Sequence, residues 1–180
     1  MERYLALLRG INVGGNNIIK MVDLKACFEK LGFSDVATYI QSGNVLFSAA
    51  EQDEEHITHI IERGLAKEFN KHIPVVVVSH ARLKATITGA PRGFGAKPDE
   101  YRYDVIFLKK PLTVKEAMQG ISIKEGVDQT HAGKGALYFS RLTKKATQSR
   151  LSKIVALPMY KNITIRNWNT TTKLLGLMEG

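Results

Sequence analysis

A chain of 180 residues, 44% hydrophobic and 24% charged, is long enough for one domain or two small ones and too apolar to be disordered. Its single cysteine excludes an internal disulfide framework and fits a reducing cytoplasm, and its apolar runs fall short of the roughly 20 residues that a membrane span needs. The formal net charge of +9 is unevenly placed: residues 1–90 carry ten Lys and Arg against ten Asp and Glu, residues 91–180 sixteen against seven, and no acidic residue falls between Gln129 and Met178. A one-signed field of that kind attracts polyanions, although in many small proteins it serves solubility alone.

Residues 4–8 are apolar on both faces, which predicts a central strand; Glu2 and the shortness of the run set it apart from a signal peptide. A loop rich in Gly and Asn follows, from Gly10 to Asn17, next to Arg9. Met21, Leu24, Phe28 and Leu31 recur at helical spacing over 21–31, with Gly32 as the stop. Runs at 36–40 and 45–47 flank the turn sequence from Gln41 to Asn44 and predict a hairpin. Ser48 and Glu51 have capping-box spacing ahead of a helix whose apolar face is Ile57, Ile60, Ile61, Leu65 and Phe69. Residues 74–78 then form a buried strand, and the order is β-α-β-β-α-β, the ferredoxin-like unit.

The second half repeats that order without repeating the sequence. Ser79 caps a short helix with Leu83 and Ile87, and 89–100, with three Gly and two Pro, reads as a loop and subdomain boundary. A strand at 101–108 is followed by a helix with Val114, Ala117, Met118 and Ile121. Strands at 126–131 and 136–141 are joined by a glycine turn. A helix opening at Ser149 with Leu151, Ile154 and Val155 ends at Pro158; a strand at 163–168 and a last helix over 170–178 complete the chain. The fold class expected is α+β, two ferredoxin-like units over 1–90 and 91–180 plus a C-terminal helix.

Three places could bind an anion. In the first unit, topology puts the loop after the first strand and the hairpin turn at the same end of the sheet. That would gather Arg9, Asn12, Gly14, Gly15, Gln41, Ser42 and Asn44, a set suited to an anion or polar small ligand; the competing reading is that these residues merely supply turns. At the start of the last helix, capped by Asn169 or Thr170, Arg166, Asn167, Asn169 and Lys173 would flank a helix N-terminus. In the acid-free run, Lys134, Arg141, Lys144, Lys145, Arg150 and Lys153 are interleaved with Tyr138, Phe139, Tyr160 and Trp168, the pairing of cations and rings that single-stranded nucleic acid uses. The competing reading makes Phe139 and Trp168 core residues.

Catalytic signals are weak. The Gly10–Asn17 loop lacks the Lys-Ser/Thr pair of a P-loop and matches no dinucleotide fingerprint, so no cofactor is expected. His56 and His59 lie off the apolar face of their helix, Cys27 has no sequence partner, and His131 stands alone beside a glycine turn; no metal site is expected.

Several stretches together carry a resemblance. Tyr4-x-Ala-Leu-Leu-Arg-Gly-Ile-Asn-Val-Gly-Gly15, Met21-x-x-Leu24, Gly32-Phe33, Thr38-Tyr-Ile-Gln-Ser-Gly-Asn44, Ser149-Arg-Leu151 and Arg166-Asn-Trp-Asn-Thr170 with Lys173-Leu174 resemble the bacterial domain of unknown function 1697. The resemblance spans essentially the whole chain. It implies an α+β protein of ferredoxin-like elements and supplies no catalytic or binding residues. Members often carry Lys or His after the two glycines, where this chain has Asn16.

Three functions follow as expectations: binding of a polyanion, foremost nucleic acid, through the basic half; binding of, or an enzyme acting on, a small anionic metabolite at the loops of the first unit; or a homodimeric interaction module. The first expects affinity that falls steeply with salt.

Overall fold

Two four-stranded antiparallel sheets organise the chain, in a computed structural model that describes residues 1–50 and 53–180. The chain divides into two units, Met1–Leu83 with Leu174–Gly180, and Lys84–Lys173.

The first unit runs β1 (Glu2–Leu8), α1 (Met21–Lys30), β2 (Ser34–Tyr39), β3 (Asn44–Ala49), α2 (Glu54–Phe69) and β4 (Val75–Ser79), and then enters α3 (His80–Thr88). Its sheet order is β2-β3-β1-β4. β1 is central and buried on both faces, as its continuous apolar run requires. Alternation sends Tyr4, Ala6 and Leu8 to the face covered by α1 and α2, where Phe28, Phe33 and Phe47 pack with centroids 4.6–6.0 Å apart. Cys27 belongs to this core, and burial pushes its thiol up, away from the reactive thiolate. Asp53 caps α2, its side chain accepting from Glu55 N at 2.9 Å. The Ser48–Glu51 capping box rests on Glu51, which lies outside the described residues.

The second unit runs β5 (Tyr101–Leu108), α4 (Val114–Gly120), β6 (Asp128–Ala132), β7 (Ala136–Leu142), three 3-10 segments and β8 (Ile163–Asn167), and leads into α5 (Trp168–Glu179). The order β6-β7-β5-β8 repeats that of the first sheet. A full capping box starts α4: Thr113 accepts from Glu116 N, and the Glu116 carboxylate accepts from Thr113 N.

Two local expectations need correction. The helix expected from Ser149 is instead 3-10, as Thr143–Gln148, Leu151–Ala156 and Pro158–Asn162. Leu151, Ile154 and Leu157 recur every three residues, the 3-10 repeat, and pack on the sheet, whereas Val155 is 59% exposed. The last helix begins at Trp168, two residues early, because the Asn167 side chain accepts from Asn169 N at 2.9 Å and caps it in place of Asn169 or Thr170.

The α4 side of the second sheet changes from apolar to charged along its strands. Ile106, Leu137, Phe139 and Ile163 form the core. Further along the same alternation, Arg102, Arg141 and Asp128 stand in one cross-strand row, with Asp104 diagonal to Arg141. Asp128 accepts from Lys124 N and Arg150 N, both at 2.9 Å, tying the loop before β6 and the 3-10 run to the sheet. Asp104 is 8% exposed, and its Oδ2 lies 3.9 Å from Arg141 Nη2 with no hydrogen-bond partner among the described residues. Burial pushes the Asp104 carboxyl above the usual carboxylate range, against the pull of Arg141 and Arg102.

The folded chain therefore keeps a proton on Asp104 that the unfolded chain has already lost, so this group costs stability as pH rises from the ordinary carboxylate range through its raised folded value. Asp104→Asn removes that loss. In urea unfolding between roughly pH 3 and pH 7, the variant should gain on the wild type as pH rises. A variant that instead loses ground toward neutrality would show that the arginines hold Asp104 ionised.

Candidate functional site

The two loops of the first unit do meet. Asn12 Nδ2 donates to Gln41 O at 2.9 Å, and Leu8 N donates to Gly43 O at 2.8 Å. Their amides are spent on the loops themselves. Asn12 Nδ2 also donates to Ile19 O, while its Oδ1 accepts from Ile19 N at 2.8 Å. Asn44 is fully buried and donates to Tyr39 O and Ser42 Oγ. Gly14 and Gly15 have positive φ, and a Cβ at Gly43 would stand 2.9 Å from Leu8 Cβ and from Ile11 Cδ1, so these glycines answer backbone demands. Arg9 is half-buried, and Gln41 and Ser42 are exposed.

Two of the four residues of the C-terminal set are similarly absorbed. Asn167 supplies the cap, and Arg166 is buried in β8 at 9% exposure, donating to Ile165 O at 3.0 Å. Removal from water brings its guanidinium down to about 10. Asn169 and Lys173 are exposed on α5.

In the basic run the structure buries two of the four rings, and leaves Tyr160 and Trp168 half-buried. Lys134 sits in the β6–β7 turn, Arg141 beside Asp104, Lys144 and Lys145 on the first 3-10 segment, and Lys153 on the second, with Arg150 just ahead of it. Tyr138 and Phe139 are 1% and 0% exposed, and the Tyr138 hydroxyl donates to Thr86 O. Neither ring can stack on a base.

What the second unit assembles is a pocket of about 300 Å3 on the sheet face opposite α4. Register builds its floor. Tyr103, Ser140 and Gln129 stand opposite one another across β5, β7 and β6; His131 is two residues along β6, and Tyr101 two residues back along β5. The wall is the loop Pro91–Lys97, including Arg92, Gly93 and Phe94. No carboxylate is among the lining residues.

Aromatic packing holds that loop. The Phe94 ring meets Tyr103, Tyr138 and Trp168 edge to face, with centroids 4.9, 5.3 and 5.1 Å away. Phe94 N donates to Pro91 O, Ala96 N to Gly93 O, and Lys97 N to the Tyr103 hydroxyl at 3.2 Å. A Cβ at Gly95 would fall on the Trp168 indole, so only glycine lets the loop lie this close.

The pocket brings together two loop cations, an imidazole, an amide, two hydroxyl-bearing rings and a serine. The Arg92, Gln129 and His131 side chains have no hydrogen bond or ion pair among the described residues. Lys97 has only an exposed partner, Glu100, at 3.7 Å, a weak contact. Sequence reasoning passed over all of these except His131, which it set aside. The available signal was Tyr101-x-Tyr103 on one strand face directly after a loop reading Arg92-Gly-Phe-Gly95.

A family model described as "Protein of unknown function (DUF1697)" matches residues 1–138. Among solved structures, the conserved bacterial protein SP0830 from Streptococcus pneumoniae is similar at 26% identity, with 98% of each chain covered and a TM-score of 0.85. No curated protein matches the chain.

The loop packing is directly testable, because Trp168 is the chain's single tryptophan. Gly95→Ala drives a methyl into the indole at φ +84°, and should cost about 1–3 kcal/mol and shift Trp168 emission to the red. Gly93→Ala, at φ +80° with open space around it, should pay the backbone cost and leave the emission in place. Equal emission from both variants would contradict the packing.

Proposed function

We propose, for a chain that belongs to the DUF1697 family of proteins of unknown function, that it is a binding protein for a small anionic ligand held in the pocket of its second unit. The observation that carries this reading is the convergence of Arg92, Lys97 and His131 on one cavity lined by no carboxylate. Cations lining a pocket without a carboxylate stabilise an anion by Coulomb attraction and by charge-assisted N–H bonds, each worth about twice a neutral one.

The volume, about 300 Å3, lies at the lower end of the range for small-molecule sites and suits a compact ligand. Arg92 can present two parallel N–H groups to a phosphate or carboxylate, while Lys97 acts as a mobile point charge at the rim. His131 adds a ring N–H donor. The loops of the first unit are a weaker candidate, because Asn12 and Asn44 spend their amides on backbone carbonyls and a neighbouring hydroxyl.

Thermal unfolding with inorganic pyrophosphate tests the reading. A ligand at 100 times its dissociation constant adds about 2.7 kcal/mol to stability, and should raise the melting temperature of the wild type. Arg92→Ala should weaken binding about tenfold to a hundredfold, the range for losing a charge-assisted hydrogen bond, and Lys97→Ala should weaken it as well. No shift with pyrophosphate, or the same shift in the Arg92→Ala/Lys97→Ala double variant, would overturn it.

A further inference from the structure

We infer that the ligand of this pocket is a nucleobase carrying a phosphate. The inference rests on the anion-binding reading above and adds the chemistry of the ligand's other end.

Charge alone would be served by the loop cations, yet most of the pocket wall is not charged. Phe94, Tyr101 and Tyr103 line it, and Tyr101 and Phe94 are half-buried, leaving ring surface toward the cavity. A small carboxylic acid or an inorganic anion gains nothing from such a wall. A planar heterocycle gains stacking, which is tolerant of the identity of the base.

The floor supplies what reads the edge of such a ring. The Gln129 side chain carries a donor pair and an acceptor, and Ser140 lies beside it in register with a hydroxyl that can do either. Base edges present donors and acceptors side by side, which is the pattern an amide matches. Arg92 and Lys97 stand on the loop above this floor, so a base lying on the floor would direct its phosphate toward the loop.

A pocket of about 300 Å3 has room for about one nucleotide. The same chemistry could be met by a free mononucleotide or by one residue of a single strand. The buried Tyr138 and Phe139 leave the strand no run of stacking rings within the basic segment.

Phe94 links occupancy to a signal. It packs on Trp168 as well as on Tyr103, so a ring entering beside it should alter the emission of the single tryptophan. The test is a Trp168 fluorescence titration of the full chain with UMP, AMP, uridine, ribose 5-phosphate and a hexauridylate strand. UMP or AMP should bind at least about tenfold more tightly than both ribose 5-phosphate and uridine, toward the low end of what stacking one base provides. Tyr101→Leu should reduce UMP affinity more than ribose 5-phosphate affinity. Gln129→Leu, at an exposed position on the edge strand β6, should do the same and guards against a folding defect in the first variant.

Equal affinity for UMP and ribose 5-phosphate would overturn the nucleobase while leaving the anion pocket standing. Failure of every phosphate compound would overturn both. Tighter binding of hexauridylate than of UMP assigns the site to a strand residue; equal or weaker binding assigns it to the free nucleotide. Either result supports the inference.

Discussion

One aromatic ring holds the candidate site together. Phe94 sits between two glycines of positive φ and packs edge to face on Tyr103, Tyr138 and Trp168. Without it, residues 91–97 would be a glycine and proline loop held to the sheet chiefly by the Lys97 N–Tyr103 hydroxyl bond. With it, the loop becomes the wall of a pocket whose floor is a row of side chains on β5, β7 and β6. Edge-to-face pairs are worth about 0.5–1.5 kcal/mol each beyond area burial, so three of them can order a short segment. The lack of a Cβ at Gly95 allows the indole contact.

The two units share a strand order and use it differently. In the first, the strand-end loops satisfy themselves: Asn12, Asn17 and Asn44 each bond to main-chain carbonyls, and glycines take the conformations that side chains would resist. In the second, Arg92, Gln129 and His131 keep side-chain polar groups without partners among the described residues, on the sheet face away from α4. Exposed groups that spend no bond on the protein can exchange water for a ligand, and groups already bonded within the chain hold a loop. That contrast moves the favoured site from the first unit to the second.

Much of the fold was legible from periodicity. The run 101–108 matches β5 to the residue, and the order β-α-β-β with a returning strand was readable in both halves. Topology also placed the Gly10–Asn17 loop beside the Gln41–Asn44 turn, as the Asn12–Gln41 bond shows. The 3-10 run was misread because Ile154 and Val155 both suit a helical face, and only packing shows that Leu151, Ile154 and Leu157 face inward. The pocket itself was not legible. It joins residues 92, 97, 101, 103, 129, 131 and 140, and the register that sets Gln129 opposite Ser140 and Ser140 opposite Tyr103 is a property of pairing, not of any one segment. The charge count pointed to the half of the chain that holds the pocket, but to its long cation run instead of the two cations on the preceding loop.

The central claim is where an anion binds. The most direct measurement is amide chemical-shift mapping of the 15N-labelled chain during a pyrophosphate titration. Binding in the second unit predicts coherent shifts at residues 92–97, 101–103 and 129–131, with residues 9–17 and 41–44 unmoved. The largest shifts at 9–17 and 41–44, with 92–97 unmoved, would contradict the account.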